Sequence, residues 1–110
     1  MLNMKRDDKL DYLNGREVAY IKFSIPKKGY KKYKASIYDT ENKKIKSVLF
    51  SDRRYEHYFD RIGMWKELNH NDSKRRAAYR KRHEKISLKD GSAAYKQPYT
   101  PAYFSYHLLW

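Results

Sequence analysis

The chain contains no cysteine. Disulfide bonds, thiolate metal sites and cysteine nucleophiles are therefore excluded. Long apolar runs are missing as well. The amino-terminal sequence MLNMKRDDKLDYL lacks the hydrophobic stretch of a signal peptide, and no segment approaches the roughly 20 apolar residues that a membrane-spanning helix needs. We therefore expect a protein that is soluble or bound peripherally to a membrane surface.

Residue patterns that support catalysis are also missing. The four glycines are isolated, so no glycine-rich loop is available to hold a phosphate group. The histidines lack the spacing of zinc fingers and of hydrolytic metal sites such as H-E-x-x-H; they are His57, His70, His83 and His107. We therefore expect no catalytic residue, no metal and no cofactor, and we expect His70 and Asp72 to orient the start of a helix instead.

Acidic and aliphatic residues are scarce, whereas basic and aromatic residues are abundant. The chain has 26 Lys and Arg against 13 Asp and Glu, a net charge of +13. This charge content would favour disorder if the aromatic content were ordinary, but 12 Tyr, 4 Phe and 2 Trp supply large side chains for a core. We expect a thin aromatic core and a domain that is only marginally stable alone.

Alternation of apolar and polar residues predicts three β-strands. In the first, EVAYIKFSI at residues 17–25, the expected inward face comprises Ala19, Ile21, Phe23 and Ile25. In the second, YKASIYD, it comprises Tyr33, Ala35 and Ile37. The third, IKSVLF, alternates so that Lys46, Val48 and Phe50 lie opposite Ile45 and Leu49. Short turns separate the three segments, which predicts an antiparallel meander.

Two helices are expected after the meander. Asn69 and Asp72 can cap a basic helix that would continue to about Ile86. Thr100 and Pro101 have the residue types of an N-cap and a first helical position, which predicts a short aromatic helix at the end of the chain. The predicted fold is therefore α+β, in one domain of residues 1–110, with the β-meander in 17–50 and a helical, basic and aromatic part in 51–110.

The predicted basic helix concentrates the positive charge of this chain. Residues 74–85 (KRRAAYRKRHEK) hold seven basic side chains and one acidic side chain, a net charge of +6. Such a concentration indicates contact with a polyanion or an acidic protein surface, although a charge run can also be a solvated helix face. The candidate contact residues are Lys74, Arg75, Arg76, Arg80, Lys81, Arg82 and Lys85, of which the arginines matter most because a guanidinium can bind phosphate or carboxylate bidentately.

A second basic segment lies in the first turn of the meander and the strand after it. Its candidate contact residues are Lys27, Lys28, Lys31, Lys32 and Lys34, interleaved with Tyr30 and Tyr33. Single-stranded nucleic acid binders use such interleaving, with rings stacking on bases and cations following the backbone. The same residues also suit a hairpin with cross-strand tyrosine packing and lysines that protect a sheet edge.

The last residues of the chain are its most apolar segment. The candidate core or anchor residues are Tyr103, Phe104, Leu108, Leu109 and Trp110. These side chains can close the core of the domain, or they can insert into a neighbouring subunit, where Trp and Tyr make strong contacts.

Three segments in this order, VLFSDRRYEHYFD, LNHNDSKRRAAYRKRH and TPAYFSYHLLW, resemble a family of short, basic, uncharacterised proteins of nucleocytoplasmic large DNA viruses. The matching residues are Phe50, Tyr55, Tyr58, His70, Asp72, Arg76, Tyr79, Arg82, His83, Ser105, Leu108, Leu109 and Trp110. The resemblance covers roughly residues 46–110, and the segment RIGMWKEL departs from the pattern.

The resemblance implies a setting rather than a reaction. The giant viruses of this group build large capsids that are supported by small minor capsid proteins. A non-enzymatic virion component that bridges larger capsid proteins is therefore expected, located in the virion and, during assembly, in the host cytoplasm. The alternative expectation is a viral nucleic-acid-binding or packaging protein that uses residues 74–85 and 27–34. A membrane surface is a further candidate partner of the basic residues.

Overall fold

The structure is a computed structural model that describes residues 12–110. Its strands are β1 (Tyr12–Leu13), β2 (Arg16–Ser24), β3 (Lys31–Asp39) and β4 (Lys44–Asp52), and its α-helices are α1 (Ser73–His83) and α2 (Pro101–Leu108). Short 3-10 turns at Lys66–Leu68 and Ala94–Lys96 precede the two helices. The strands form one antiparallel sheet in the order β1-β2-β3-β4. The α+β fold is therefore confirmed, but the prediction of three strands is wrong.

The additional strand, β1, is joined to β2 by the dipeptide Asn14-Gly15. Both residues have positive φ angles, 54° and 76°, as a type I′ turn requires. Leu13 pairs directly with Arg16 across this turn. A two-residue strand is too short to show alternation, and the Asn-Gly dipeptide was the available signal for it.

A β-bulge in β2 changes which side chains face the core. The pairing register shifts between Val18 and Tyr20, so Ala19 is the extra residue in this strand. Val18 is consequently buried beside Ile21, whereas Ala19 is exposed. Ile25 follows the last residue of β2 and is also exposed. The predicted inward positions of Ala19 and Ile25 are therefore wrong.

A second register shift, between Ile37 and Tyr38 of β3, has a similar effect on β4. Lys46 pairs with Ile37 and Lys44 pairs with Tyr38, which leaves Ile45 as the extra residue. Ile45 packs against the core, although simple alternation placed it on the same face as Leu49. Leu49 is exposed, and Val48 and Phe50 of the opposite face are buried.

The core lies between one face of the sheet and α2, and aromatic rings form its centre. Phe50 stacks on Phe104 of α2 with ring centroids 5.1 Å apart, and Phe23 meets both rings edge to face. Tyr33 stacks on Phe50 at 5.5 Å. The predicted inward residues of β3, Tyr33, Ala35 and Ile37, are all completely buried. The opposite face of the sheet carries no helix among residues 12–110, so the fold has two layers.

Both helices begin with side-chain caps. Asp72 accepts hydrogen bonds from the backbone N–H groups of Lys74 and Arg75, and Nδ1 of His70 accepts one from the N–H of Asp72. Thr100 caps α2 in the same way, and Pro101 occupies its first turn, which confirms both assignments. The predicted ends of the basic helix are wrong, because α1 starts at Ser73 and ends at His83. Asn69 does not cap this helix.

Candidate functional site

The seven basic residues predicted at 74–85 fall into two groups. Lys74, Lys81, Arg82 and Lys85 are exposed, and none of them forms an ion pair within residues 12–110. Arg75 is also exposed but pairs with Glu56, with its Nη1 2.9 Å from Oε1 of the carboxylate. Four of these five side chains lie on the outward surface of α1, and Lys85 lies just beyond its end; we call the five residues the helix cation row.

The other two arginines of α1 point inward. Nε of Arg76 and Nη2 of Arg80 each donate a hydrogen bond of 3.0 Å to the main-chain oxygen of Trp110. The guanidinium of Arg76 also lies over the ring of Tyr58 at 4.7 Å, and that of Arg80 lies over Tyr106 at 5.0 Å. Arg76 and Arg80 therefore stabilise the fold, and their guanidinium groups are not presented to a partner in this conformation.

Trp110 lies at the centre of an aromatic cluster under α1. Its ring stacks on Tyr79 at 4.1 Å, and Tyr79 stacks in turn on His83 at 3.9 Å. His70 approaches the other side of Trp110 at 5.1 Å. Burial in this cluster raises the pKa of the Tyr79 hydroxyl to about 12.

The carboxy-terminal residues close the core of this chain. Phe104, Leu108 and Leu109 are buried in it, and Tyr103 and Trp110 pack against it while remaining half-exposed. Of the two interpretations of this segment, the core interpretation is therefore confirmed. A buried side chain such as Leu109 cannot also insert into a neighbouring subunit.

The basic segment at residues 27–34 is divided between surface and interior. Lys27, Lys28, Tyr30 and Lys31 are exposed, and Lys34 is half-buried. Lys32 and Tyr33 are only 2% and 0% exposed. Their predicted role in contacting a partner is therefore wrong, because a docking surface must be accessible.

Lys32 belongs to a buried polar chain. Its ammonium group lies 2.8 Å from Nδ1 of His57, whose Nε2 lies 2.7 Å from the side-chain oxygen of Asn69. Asn69 can only accept at that oxygen, so His57 carries its proton on Nε2 and accepts at Nδ1 from Lys32. Burial lowers the pKa of Lys32 to about 8, and the charges of Asp60 and Asp52 oppose this shift. Burial, followed by the charge of Lys32, also lowers the pKa of His57.

Tyr33 holds the buried carboxylate of Asp60. Its hydroxyl donates to Asp60 and accepts a 2.9 Å hydrogen bond from the N–H of Met64. Asp60 also accepts from the N–H groups of Ile62 and Trp65, both at 2.8 Å. Burial and the bond to Asp60 raise the pKa of Tyr33. Two adjacent residues of β3 thereby fix the segment 57–69 against the sheet.

A cleft of about 270 Å³ lies beside this network, between β4, α1 and α2. Its lining residues are Lys32, Ser51, Asp52, Tyr55, Glu56, Tyr79, Ser105 and Trp110. The hydroxyl oxygens of Ser51 and Ser105 are 2.7 Å apart across it. Two carboxylates, those of Asp52 and Glu56, line the cleft together with the ammonium group of Lys32. The charge of the cleft therefore does not select one class of ligand.

A larger groove, of about 740 Å³, lies on the outer face of the sheet beside the β2–β3 turn. Its lining residues are Ser24, Ile25, Pro26, Lys27, Lys28, Lys34, Ser47 and Leu49. Further along this face Tyr20 stacks on Tyr38 at 4.9 Å, and the ammonium of Lys22 lies over both rings. Alternation along a single strand does not reveal this groove, because it places Ile25 in the core and does not show which residues of three strands will be neighbours.

Comparisons with protein-family models, curated proteins and solved structures find no match to this chain. Within residues 12–110 there is no group of three or more His, Asp or Glu side chains that could hold a metal ion. No helix in the same range is long and apolar enough to cross a bilayer.

Five residues that carry the resemblance to the viral family meet around the aromatic cluster, namely Tyr58, His70, Tyr79, His83 and Trp110. These five residues form one structural centre of this domain.

Proposed function

We propose that the protein is a non-enzymatic virion component of a large DNA virus, a minor capsid protein that bridges or cements larger capsid subunits. The proposal combines the family resemblance with one structural observation. Two basic surfaces lie on opposite sides of the same small sheet, the helix cation row on the side covered by α2 and the lysines of the groove on the open side.

A bridging role suits this arrangement. The described part of the chain measures 41 × 33 × 27 Å, so the two basic surfaces are held a short and fixed distance apart. A protein with one basic patch can coat an acidic surface, whereas a protein with two opposed patches can hold two acidic surfaces together. The buried network attaches residue 57 to β3, and the aromatic cluster attaches Trp110 to α1. These contacts hold the two basic surfaces in a fixed relative position.

The test is to measure the protein in purified particles. Quantitative mass spectrometry should find it at a fixed ratio to the most abundant capsid protein, and chemical cross-linking should join lysines of both surfaces to capsid subunits. Absence from purified particles would contradict the proposal. Cross-links from only one of the two surfaces would contradict bridging.

Nucleic acid binding is the second candidate, and the helix cation row favours it. Lys74 and Lys81 lie along one side of α1, about 10 Å apart at 1.5 Å per residue, and Lys85 follows two residues after the end of the helix. A regular row of unpaired cations can follow a phosphate backbone and release the ions condensed on it.

This candidate predicts an affinity for DNA that falls steeply with salt. If four phosphates are neutralised, the slope of log affinity against log salt is about −4 on duplex DNA. Changing Lys81 and Lys85 to Glu should abolish binding in a fluorescence anisotropy titration. The double variant Lys44→Glu and Lys46→Glu makes the same charge change on the exposed end of β4 and should bind more strongly than the α1 variant. Equal loss in both variants would indicate that net charge alone, and not α1, determines binding.

A further inference from the structure

The groove on the outer sheet face differs from an ordinary solvated surface in its composition. Two of its aliphatic side chains, Ile25 and Leu49, are 42% and 44% exposed, and Pro26 lies between the strand end and the lysines. Lys27, Lys28 and Lys34 surround them. Exposed aliphatic residues with cations at the margin are typical of a contact surface that is covered in the complex.

The groove is built on regular sheet structure and not on the turn alone. Ser24 pairs with Lys34, and Lys34 pairs with Leu49, so the three side chains form one row across β2, β3 and β4. Lys34 is half-buried in this row, so its stem has less freedom than that of a fully exposed lysine. Binding to a site on paired strands loses less conformational entropy than binding to a site on a free loop.

We infer that this groove binds an acidic segment of a partner protein that carries apolar residues between its carboxylates. The positive charge of all three lysines selects a negatively charged partner. The aliphatic floor selects apolar side chains, because single-stranded nucleic acid is bound by flat rings that stack on its bases, and neither Ile25 nor Leu49 can stack in this way. A protein that binds a bilayer inserts protruding apolar side chains into it, whereas Ile25 and Leu49 line a concave surface.

The inference deepens the proposed function, since a capsid subunit would supply the acidic segment. It also makes a prediction that needs no virus particle. The probe is a fluorescein-labelled ten-residue peptide in which two leucines are flanked by glutamates. Three comparison probes are the same peptide with both leucines replaced by serine, a 20-nucleotide oligo(dT), and vesicles containing phosphatidylserine.

The full chain should bind the leucine peptide at least about tenfold more tightly than the serine peptide, which corresponds to 1.4 kcal/mol. The double variant Lys27→Glu and Lys28→Glu should weaken this binding about tenfold or more, and Leu49→Ser should weaken it while leaving the affinity for the serine peptide unchanged. The matched control is the double variant Lys81→Glu and Lys85→Glu, which makes the same change in net charge at the helix cation row. It should shift the affinity for the leucine peptide less than about twofold. Circular dichroism and the Tm of each variant report whether it is folded.

Three results would overturn the inference. The first is equal binding of the leucine and serine peptides, because the aliphatic floor would then have no role. The second is binding of oligo(dT) or of vesicles, but not of the leucine peptide, that is lost in the Lys27 and Lys28 variant. The third is no binding of any probe. None of these results changes the expected abundance in particles, so the inference and the proposed function fail separately.

Discussion

At the scale of single residues, the buried Lys32 carries an electrostatic cost. It is 2% exposed, and its ammonium group has the neutral His57 as its hydrogen-bond partner. A cation in this environment is less stable than in water, which is why its pKa is about 8 and not near 10.5.

The lowered pKa of Lys32 predicts a pH dependence of stability. Between pH 8 and 10.5 the unfolded chain still binds the proton that the folded chain has released, so the free energy of unfolding should rise with pH by up to about 3 kcal/mol. Above pH 10 the gain should reverse, because the pKa of Tyr79 is raised to about 12 and folding then requires tyrosines to stay protonated. Urea unfolding between pH 7 and 11 measures the profile.

The variant Lys32→Met is the control for this profile. It removes the titrating group but keeps the length of the side chain, so the rise between pH 8 and 10 should be much smaller than in the original chain. An identical rise in both proteins would show that the loss of general charge repulsion, and not Lys32, is responsible.

The hydroxyl of Tyr33 is a second residue whose effect can be isolated. Tyr33→Phe leaves the buried Asp60 and the N–H of Met64 each without one partner, and we expect a loss of about 1 to 3 kcal/mol in the free energy of unfolding. Tyr30→Phe, at a site 60% exposed, should change it by less than about 0.5 kcal/mol. Equal values for the two variants in urea unfolding would show that the bond to Asp60 contributes nothing.

At the scale of elements, α1 combines two roles that its sequence does not separate. Arg80 and Lys81 are neighbours in a run of cations, yet Arg80 binds the main-chain oxygen of Trp110 and Lys81 is exposed. Arg80→Gln should lower the free energy of unfolding by about 1.5 to 3 kcal/mol because a hydrogen bond from a charged donor is lost. Lys81→Gln should change it by less than about 0.5 kcal/mol and should instead weaken any contact with a polyanion.

Urea unfolding and a binding titration on both variants test this division of roles. The Arg80 variant should have a lower free energy of unfolding and should retain its binding, measured at a temperature where both variants are folded. The Lys81 variant should retain its stability and bind less tightly. The same ranking of both variants in both measurements would contradict it.

How far the sequence predicts the elements depends on whether their signal is local. The caps Asp72 and Thr100, and the alternation in β3, were correct because turn chemistry and two-residue alternation act within a few residues. The bulge at Ala19 was not predictable, since a bulge depends on the partner strand. The roles of Lys32 and Arg80 were missed for the same reason, because their partners lie 25 and 30 residues away.

At the scale of the whole molecule, the core is thin and lies on one side of the sheet. Its aromatic centre needs α2, because Phe104 stacks on Phe50 and the completely buried Leu109 follows the helix. Deleting residues 106–110 also removes the ring of Trp110 and the oxygen that Arg76 and Arg80 bind. We expect the shortened chain to be unfolded in isolation.

Circular dichroism and the dispersion of amide NMR signals measure this outcome. Leu49→Ala is the control, since it removes a leucine of the outer face and should leave the Tm nearly unchanged. A shortened chain that keeps a cooperative thermal transition would contradict the assignment of these residues to the core.

The contacts of β3 with residues 57–69 also set the order in which the chain acquires its structure. Four of the hydrogen bonds that hold this segment end on Lys32 or Tyr33, and two more join the N–H groups of Phe59 and Arg61 to residues 109 and 108, so it is held fully only once the central strand is in place. During refolding, the amides of this segment should therefore become protected from exchange together with those of β3 and not earlier. Exchange protection of residues 57–69 thus reports when the sheet has formed.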